Sequence, residues 1–245
     1  MRLTVLGCSG TVPGPSSPAS GYLLEHDGAS LVLDLGNGCF GSLLRWVRPE
    51  TVTGVVISHL HPDHFIDLCA YSTYLRWSPG GPHPPVRLLG PVATMTRLVE
   101  AYGPGAESYR ALWDFTESGA TQLGPFALRF ARTRHPSPNN AVRVSAGGRS
   151  LVFSGDTGPC QELVELATGA DVLLCEASFG PQEQFVPDLH LTARMAGEHA
   201  AAAGVGRLIV THVPPWSSVE AAVSSAAAAF AGPVEAAYLD ARFDI

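Results

Sequence analysis

The chain has 245 residues, 46% of them hydrophobic and 15% charged, with a formal charge of −7. All 15 basic side chains are arginine, which excludes chemistry that needs a lysine amine, such as a Schiff base or a P-loop. The acidic balance leaves no broad basic surface for a nucleic-acid backbone, and no apolar run reaches the eighteen or so residues of a membrane helix.

In chain order, residues 2–7 alternate as a strand and lead into a Gly/Ser/Pro-rich loop. Strands over 22–26 and 30–36 flank Asp27-Gly28, a hairpin signal. A helix is expected over 39–48, a buried strand over 52–59, and a helix from His64 to Trp77 that "SPGGPHPP" terminates. A strand at 86–90 and a helix at 92–103 complete a first half. In the second half, strands at 126–134, 141–146 and 150–154 precede a helix from about 159. A strand over 170–177, a helix over 192–203, a strand over 207–212 and a helix near 217–230 follow. Strands before helices in each half predict an α/β fold of two face-to-face sheets with helices outside, a four-layer αββα sandwich. No linker-like stretch divides it, so residues 1–245 read as one domain. The alanine runs at 200–203 and 226–229 read as helix filler.

Cys8, Cys39, Cys69, Cys160 and Cys175 are scattered and form no Cys-x-x-Cys pair. That pattern fits reduced, mostly buried thiols. The opening "MRLTVLGC" lacks the regions of an export signal, so a first strand and a cytoplasmic location are expected.

The densest chemistry is "SHLHPDHF", Ser58 to Phe65, at the end of a predicted strand. His59 and His61 are two apart, so on extended backbone they point the same way. Asp63 and His64 are adjacent and must project differently, which suits a second metal beside the first. His135, Asp156 and His212 each close a further predicted strand. Singly, each would be a hydrogen-bonded buried group; together with the histidine cluster they point to metal. "GCSG" departs from the G-x-S-x-G spacing of a serine-hydrolase elbow.

His59, His61, Asp63, His64, His135, Asp156 and His212 follow in order the pattern of the metallo-β-lactamase superfamily, which the whole chain resembles. The resemblance implies one metal on His59, His61 and His135, a second on Asp63, His64 and His212, and Asp156 shared between them. The implied cofactors are two divalent ions, zinc foremost, with manganese or iron compatible with nitrogen and oxygen donors. Such a pair acidifies water and neutralises charge on a substrate. Ser9 is implied to border the site.

Two further stretches, "DLHLTARMAGEHA" around His190 and "VLLCEASF" around Glu176, resemble motifs of the ribonuclease Z-like branch, whose substrates are phosphodiesters. A protonated His190 could supply the proton that an alkoxide leaving group needs, with Glu176 raising its pKa. Asp63, His190 and Glu176 are thus the candidate catalytic residues. His26, His83 and His199 lack such context and are expected at the surface.

The short interval between His135 and Asp156 has no room for the arm with which tRNA-processing members hold their substrate. "VLGCSG", "PASGYLL", "SGDTG", "LCEAS", "DLHL" and "THVPPW" resemble a compact actinobacterial subgroup regarded as atypical cyclic-nucleotide phosphodiesterases. That likeness implies hydrolysis of 3′,5′-cyclic AMP to 5′-AMP, with Trp216 either stacking on the base or packing. Open alternatives are a nuclease on RNA ends, needing a basic track from Arg45, Arg48, Arg76 or others; a lactone or thioester hydrolase; and a non-catalytic binding protein. The expected partner is a small phosphodiester, with a homodimer over Leu68–Trp77 as a further possibility by analogy.

Overall fold

The structure, a computed structural model, describes residues 1–180 and 185–245. The chain opens with β1 (Arg2–Gly7), β2 (Gly21–His26) and β3 (Ala29–Leu35), antiparallel neighbours, then α1 (Cys39–Leu43). Next come β4 (Gly54–Val56), α2 (Pro62–Phe65), α3 (Leu68–Trp77), β5 (Val86–Gly90), α4 (Thr94–Tyr102) and β6 (Trp113–Glu117), with β3 to β6 running parallel. The second run has the same plan. β7 (Thr121–Leu123), β8 (Phe126–Arg132), β9 (Asn140–Ala146) and β10 (Arg149–Phe153) are antiparallel. After α5 (Gln161–Ala167), strand β11 (Val172–Glu176) lies parallel to β10; α6 (Ala193–Ala203), β12 (Arg207–Thr211), α7 (Val219–Ala227) and β13 (Val234–Ala236) extend that parallel part. The last strand, β14 (Arg242–Asp244), returns to pair with β1.

Among the described residues the result is two seven-stranded sheets, ordered β14-β1-β2-β3-β4-β5-β6 and β13-β12-β11-β10-β9-β8-β7. Alternation decides what each strand buries, because successive side chains point to opposite faces. Leu3, Val5, Tyr22, Leu31 and Leu33 meet Phe126, Val142, Leu151 and Phe153 between the sheets. Leu6, Leu23 and Val32 turn the other way, onto Phe40, Tyr71 and Leu98 of α1, α3 and α4. Val152, Leu173 and Leu208 do the same beneath α5, α6 and α7. Three apolar interfaces separate four layers, as the strand and helix order predicts. A fully buried side chain such as Phe126 contributes about 1.5–3 kcal/mol by leaving water.

The differences are instructive. The long helix expected after His64 is two, α2 and α3, and the carboxylate of Asp67 between them accepts from the amide of Phe40 at 2.9 Å. The helix expected over 39–48 stops at Leu43, and the strand expected over 52–59 is only Gly54–Val56. β7, β13 and β14, of three residues each, have no alternating pattern long enough to read, whereas β6, "WDFTE", alternates but is not among the strands expected from sequence. On α3, Leu68, Tyr71 and Leu75 face the chain's own core, leaving Ala70, Thr73 and Trp77 outside. All five cysteines are free thiols, three of them buried. Among the described residues, no helix is long and apolar enough to cross a membrane.

The alanine runs do more than favour helix. Ala200, Ala203 and Ala226 are buried where α6 meets α7. A Cβ on Gly197 of α6 would lie 2.4 Å from the carbonyl oxygen of Ala226. Gly197→Ala is therefore expected to destabilise the fold by about 1–3 kcal/mol through overpacking, despite alanine's better helix propensity. Urea unfolding checks this, and an unchanged midpoint would count against such a close helix contact.

Candidate metal centre

The predicted ligands gather at one end of the sandwich, past the C-terminal ends of strands from both sheets. His59 and His61 follow β4, Asp63 and His64 lie in α2, His135 and Asp156 sit beyond β8 and β10, and His212 directly follows β12. The strand leading to His135 ends earlier than expected, at Arg132, so that ligand is carried on a loop. A Cβ on Gly36 would lie 1.8 Å from the carbonyl oxygen of Asp63, so glycine after β3 is what lets α2 come in against the sheet.

Two groups of donor atoms form. In one, His61 Nδ1 lies 3.1 Å from His59 Nε2 and 3.2 Å from His135 Nε2, with Asp156 Oδ2 3.6 Å from His59 Nε2. In the other, His212 Nε2 lies 3.1 Å from both His64 Nε2 and Asp63 Oδ2. Asp156 Oδ1 completes it, 3.3 Å from His64 Nε2 and 3.5 Å from His212 Nε2. Asp156 thus faces both groups with one oxygen each, and the donor atoms of each group lie within 4.8 Å of one another.

A second layer of hydrogen bonds aims these rings. The outer nitrogen, Nδ1, of His64 meets Asp34 Oδ2 at 2.7 Å, that of His135 meets the Leu189 carbonyl at 2.8 Å, and that of His212 meets Ser178 Oγ at 2.6 Å. His59 Nδ1 lies 3.1 Å from Ser58 Oγ, which itself donates to Asp34 at 2.7 Å. On His59, His135 and His212 such partners set the tautomer so that Nε2 offers a lone pair inward, while on His64 the Asp34 carboxylate fixes the ring's orientation. Asp34 (φ 57°) and His212 (φ 55°) both hold left-handed backbone, a conformation costing of order 1–3 kcal/mol that concentrates at functional sites.

Asp34, Ser58 and Ser178 are absent from the sequence-based site. Asp34 had a signal: a lone carboxylate inside the apolar strand "SLVLDLG", where an unpaired charge would be costly. The serines carry no comparable mark.

Electrostatics separate the two groups. Burial, reinforced by neighbouring imidazoles, pushes His59 well below the ordinary histidine value and also lowers His61 and His135. Those rings are neutral, as metal ligands must be. For His64, burial would do the same, but Asp156, Asp34 and Asp63 raise it well above the ordinary value. Burial would raise Asp63 and Asp156, yet hydrogen bonds and charge from His64 and His212 hold both below the usual carboxylate range.

These residues fit metal ions. Ring nitrogens face one another at 3.1 and 3.2 Å, and the outer nitrogens of His59, His135 and His212 already have hydrogen-bond partners. Asp156 Oδ1 is buried with no hydrogen-bond partner. Ligands held tetrahedrally at Zn–N distances of ~2.0–2.1 Å stand roughly 3.3 Å apart, close to these separations. The nitrogen and oxygen donors, without thiolate, suit zinc and also accommodate manganese or iron.

His190 and Glu176 also come together beside the donors. His190 Nδ1 lies 3.0 Å from Glu176 Oε1, which accepts from the Thr157 amide at 2.7 Å. Ser178 Oγ donates to the other oxygen at 2.8 Å. Burial would lower the His190 pKa, but the charge and hydrogen bond of Glu176 push it up to about 9. Its ring stands 5.5 Å from that of His135 and 5.7 Å from that of His212. Ser9 is less direct: its hydroxyl donates to the Val12 carbonyl at 2.7 Å, and it is the Thr11 amide that approaches His212 Nε2, at 3.4 Å. Trp216 stands beyond His212, 63% exposed. His26, His83 and His199, expected at the surface, are each half-buried, and His199 Nε2 accepts from the Cys160 amide at 3.2 Å.

A family model described as "Beta-lactamase superfamily domain" matches residues 31–213. The chain belongs to the β-lactamase superfamily. Family and donor set together make it a metal-dependent hydrolase. An uncharacterized protein of Mycobacterium tuberculosis is 43% identical over 253 residues, spanning 100% of this chain and 92% of that one. The probable metallo-hydrolase YhfI of Bacillus subtilis is 27% identical over 97% of each chain. A crystal structure of YhfI covers 99% of both chains with a TM-score of 0.88 at 24% identity. Ribonuclease Z of Myxococcus xanthus is 28% identical, covering 97% of this chain and 95% of its own.

Two measurements test the geometry. Asp34→Ala is expected to weaken metal affinity about 10–100-fold in a chelator competition, since Asp34 aims a ring without touching the ion; unchanged affinity would remove it from the site. In the metal-free protein, the His190 imidazole should titrate by NMR near about 9 and fall toward the ordinary value in Glu176→Gln. Because its folded value is raised, its contribution to stability is full below the unfolded value of ~6.5 and is lost as pH climbs through about 9.

Proposed function

We propose that the protein is a phosphodiesterase with two divalent metal ions, most simply zinc, acting on a small phosphodiester, namely 3′,5′-cyclic AMP, to give 5′-AMP. His59, His61 and His135 would hold one ion, Asp63, His64 and His212 the other, and Asp156 both. When bound, such ions supply an acidified water and neutralise charge on the phosphate.

The observation that carries the reading is the His190–Glu176 pair beside both groups of donors. A cyclic nucleotide leaves as an alkoxide, which must take up a proton as the P–O bond breaks. Glu176 holds His190 by Nδ1 at 3.0 Å, so Nε2 carries the proton that the 3′ oxygen takes. The charge and hydrogen bond of Glu176 favour the protonated ring, which readies it to donate. Glu176 is itself fixed by Thr157 and Ser178, so the proton is held at a set place.

A ribonuclease Z-like activity on RNA ends is the second reading, favoured by the likeness to the Myxococcus enzyme. The arginines suggested for an RNA track weaken it. Arg45 pairs with Asp240 and Arg48 with Glu50, while Arg76 lies over the Trp77 and Tyr109 rings. A lactone or thioester hydrolase of the same fold would have no need of the His190 proton.

His190→Ala should lower kcat for cyclic AMP about 10²–10⁴-fold, the range for a lost general acid. With bis-p-nitrophenyl phosphate, whose leaving group departs without a proton, the loss should be far smaller. Metal-loaded protein assayed on both, on pre-tRNA and on a lactone panel decides. Lactone turnover unaffected by His190→Ala, with cyclic nucleotides untouched, would refute the reading.

A further inference from the structure

Two cavities flank the loop after His212. The larger, about 820 Å³, lies behind the bridge that pairs Ser9 with Val213, and its lining includes Cys8, Val223 and Tyr238. None of the described residues that touch His190 lines it. The smaller, about 730 Å³, has Phe179 as one wall, and the Phe179 ring meets the His190 ring edge-on at 5.5 Å. Val213, the residue after the donor His212, lines both cavities. Position favours the smaller cavity: it adjoins the reacting centre across one aromatic ring.

Its remaining lining has a distinct character. Trp216 lies on one side, Ala221 and Ala222 come from the first turns of α7, and Arg194 comes from the first turn of α6. Among the described residues, no carboxylate lines the cavity. Arg194 is paired with Glu198 at 3.1 Å. Methyl groups, an indole and a phenyl ring, together with the hydroxyls of Thr192, Ser217, Ser218 and Ser225, suit an aromatic ring, and the volume is within the range of small-molecule sites.

We propose that this cavity is the subsite for the nucleobase of a nucleotide substrate, with Trp216 as the stacking surface and Ala221 and Ala222 as the opposing wall. The inference rests on the phosphodiesterase reading and deepens it. The phosphate lies at the metal donors, His190 serves the leaving oxygen of the sugar, and the base, one sugar ring away, enters beyond Phe179. Among the described residues, the polar side chains that line the cavity are hydroxyls, the Trp216 indole and Arg194.

Ala222→Phe, which fills the slot, and Trp216→Ala, which removes an exposed platform, are compared with the unaltered chain. The substrates are cyclic AMP and the abasic ribose 3′,5′-cyclic phosphate. Each variant should cut the preference in kcat/KM for cyclic AMP over the abasic compound roughly 5- to 150-fold, the range for a lost base–aromatic stack. If the unaltered protein hydrolyses cyclic AMP and neither variant changes that preference, the subsite is refuted while the phosphodiesterase reading stands. If cyclic nucleotides are not hydrolysed at all, that reading fails, and adenosine titrated into the metal-free protein still decides. Quenching of tryptophan fluorescence that Trp216→Phe and Ala222→Phe abolish supports the cavity as a ring-binding site; absence of quenching overturns it.

Discussion

One buried carboxylate, Asp156, faces imidazoles from both sheets, and the shape of this end of the molecule follows from that meeting. It is 2% exposed, and one of its oxygens has no hydrogen-bond partner. A carboxylate stripped of water in this way is costly unless it is paired or bound to a metal. His59 and His64 come from the N-terminal sheet's side and His135 and His212 from the other, so the pairing joins the two halves of the sandwich. The apolar interface beneath it supplies the stability that lets so many polar groups be buried at one end.

What surrounds the donors explains why they hold their places. Asp34, Ser58, Leu189 and Ser178 each take the outward nitrogen of one ring, and the inward nitrogens converge as a consequence. Ser178 joins this shell to the His190–Glu176 pair, because its hydroxyl reaches both His212 Nδ1 and Glu176 Oε2. On the proposed reading, metal binding and proton delivery therefore share one hydrogen-bonded scaffold at the ends of β11 and β12.

Much of this was legible in the sequence, for physical reasons. Long alternating strands and amphipathic helices announce which faces are buried, so the layers follow from β1–β3, β8–β12 and the helices between them. The histidine motif is local, and strand ends carry the other donors to one edge of an α/β sheet. Short elements were not legible: β7, β13 and β14 have three residues each, too few for a period. The supporting shell was only partly legible. Asp34 stood out as a charge in an apolar strand, whereas Ser58 and Ser178 matter through contacts made across the fold. Trp216 could be singled out by type, but the cavity beside it exists only where α6 and α7 come together.

The central claim is that Asp156 is shared by two metal ions, and metal stoichiometry tests it most directly. Metal-free protein titrated with zinc, followed by calorimetry and elemental analysis, should bind two equivalents per chain. Asp156→Asn should weaken both binding steps, since the same carboxylate serves each group of donors. A single equivalent in the unaltered protein, or two equivalents bound with unchanged affinity by Asp156→Asn, would contradict it.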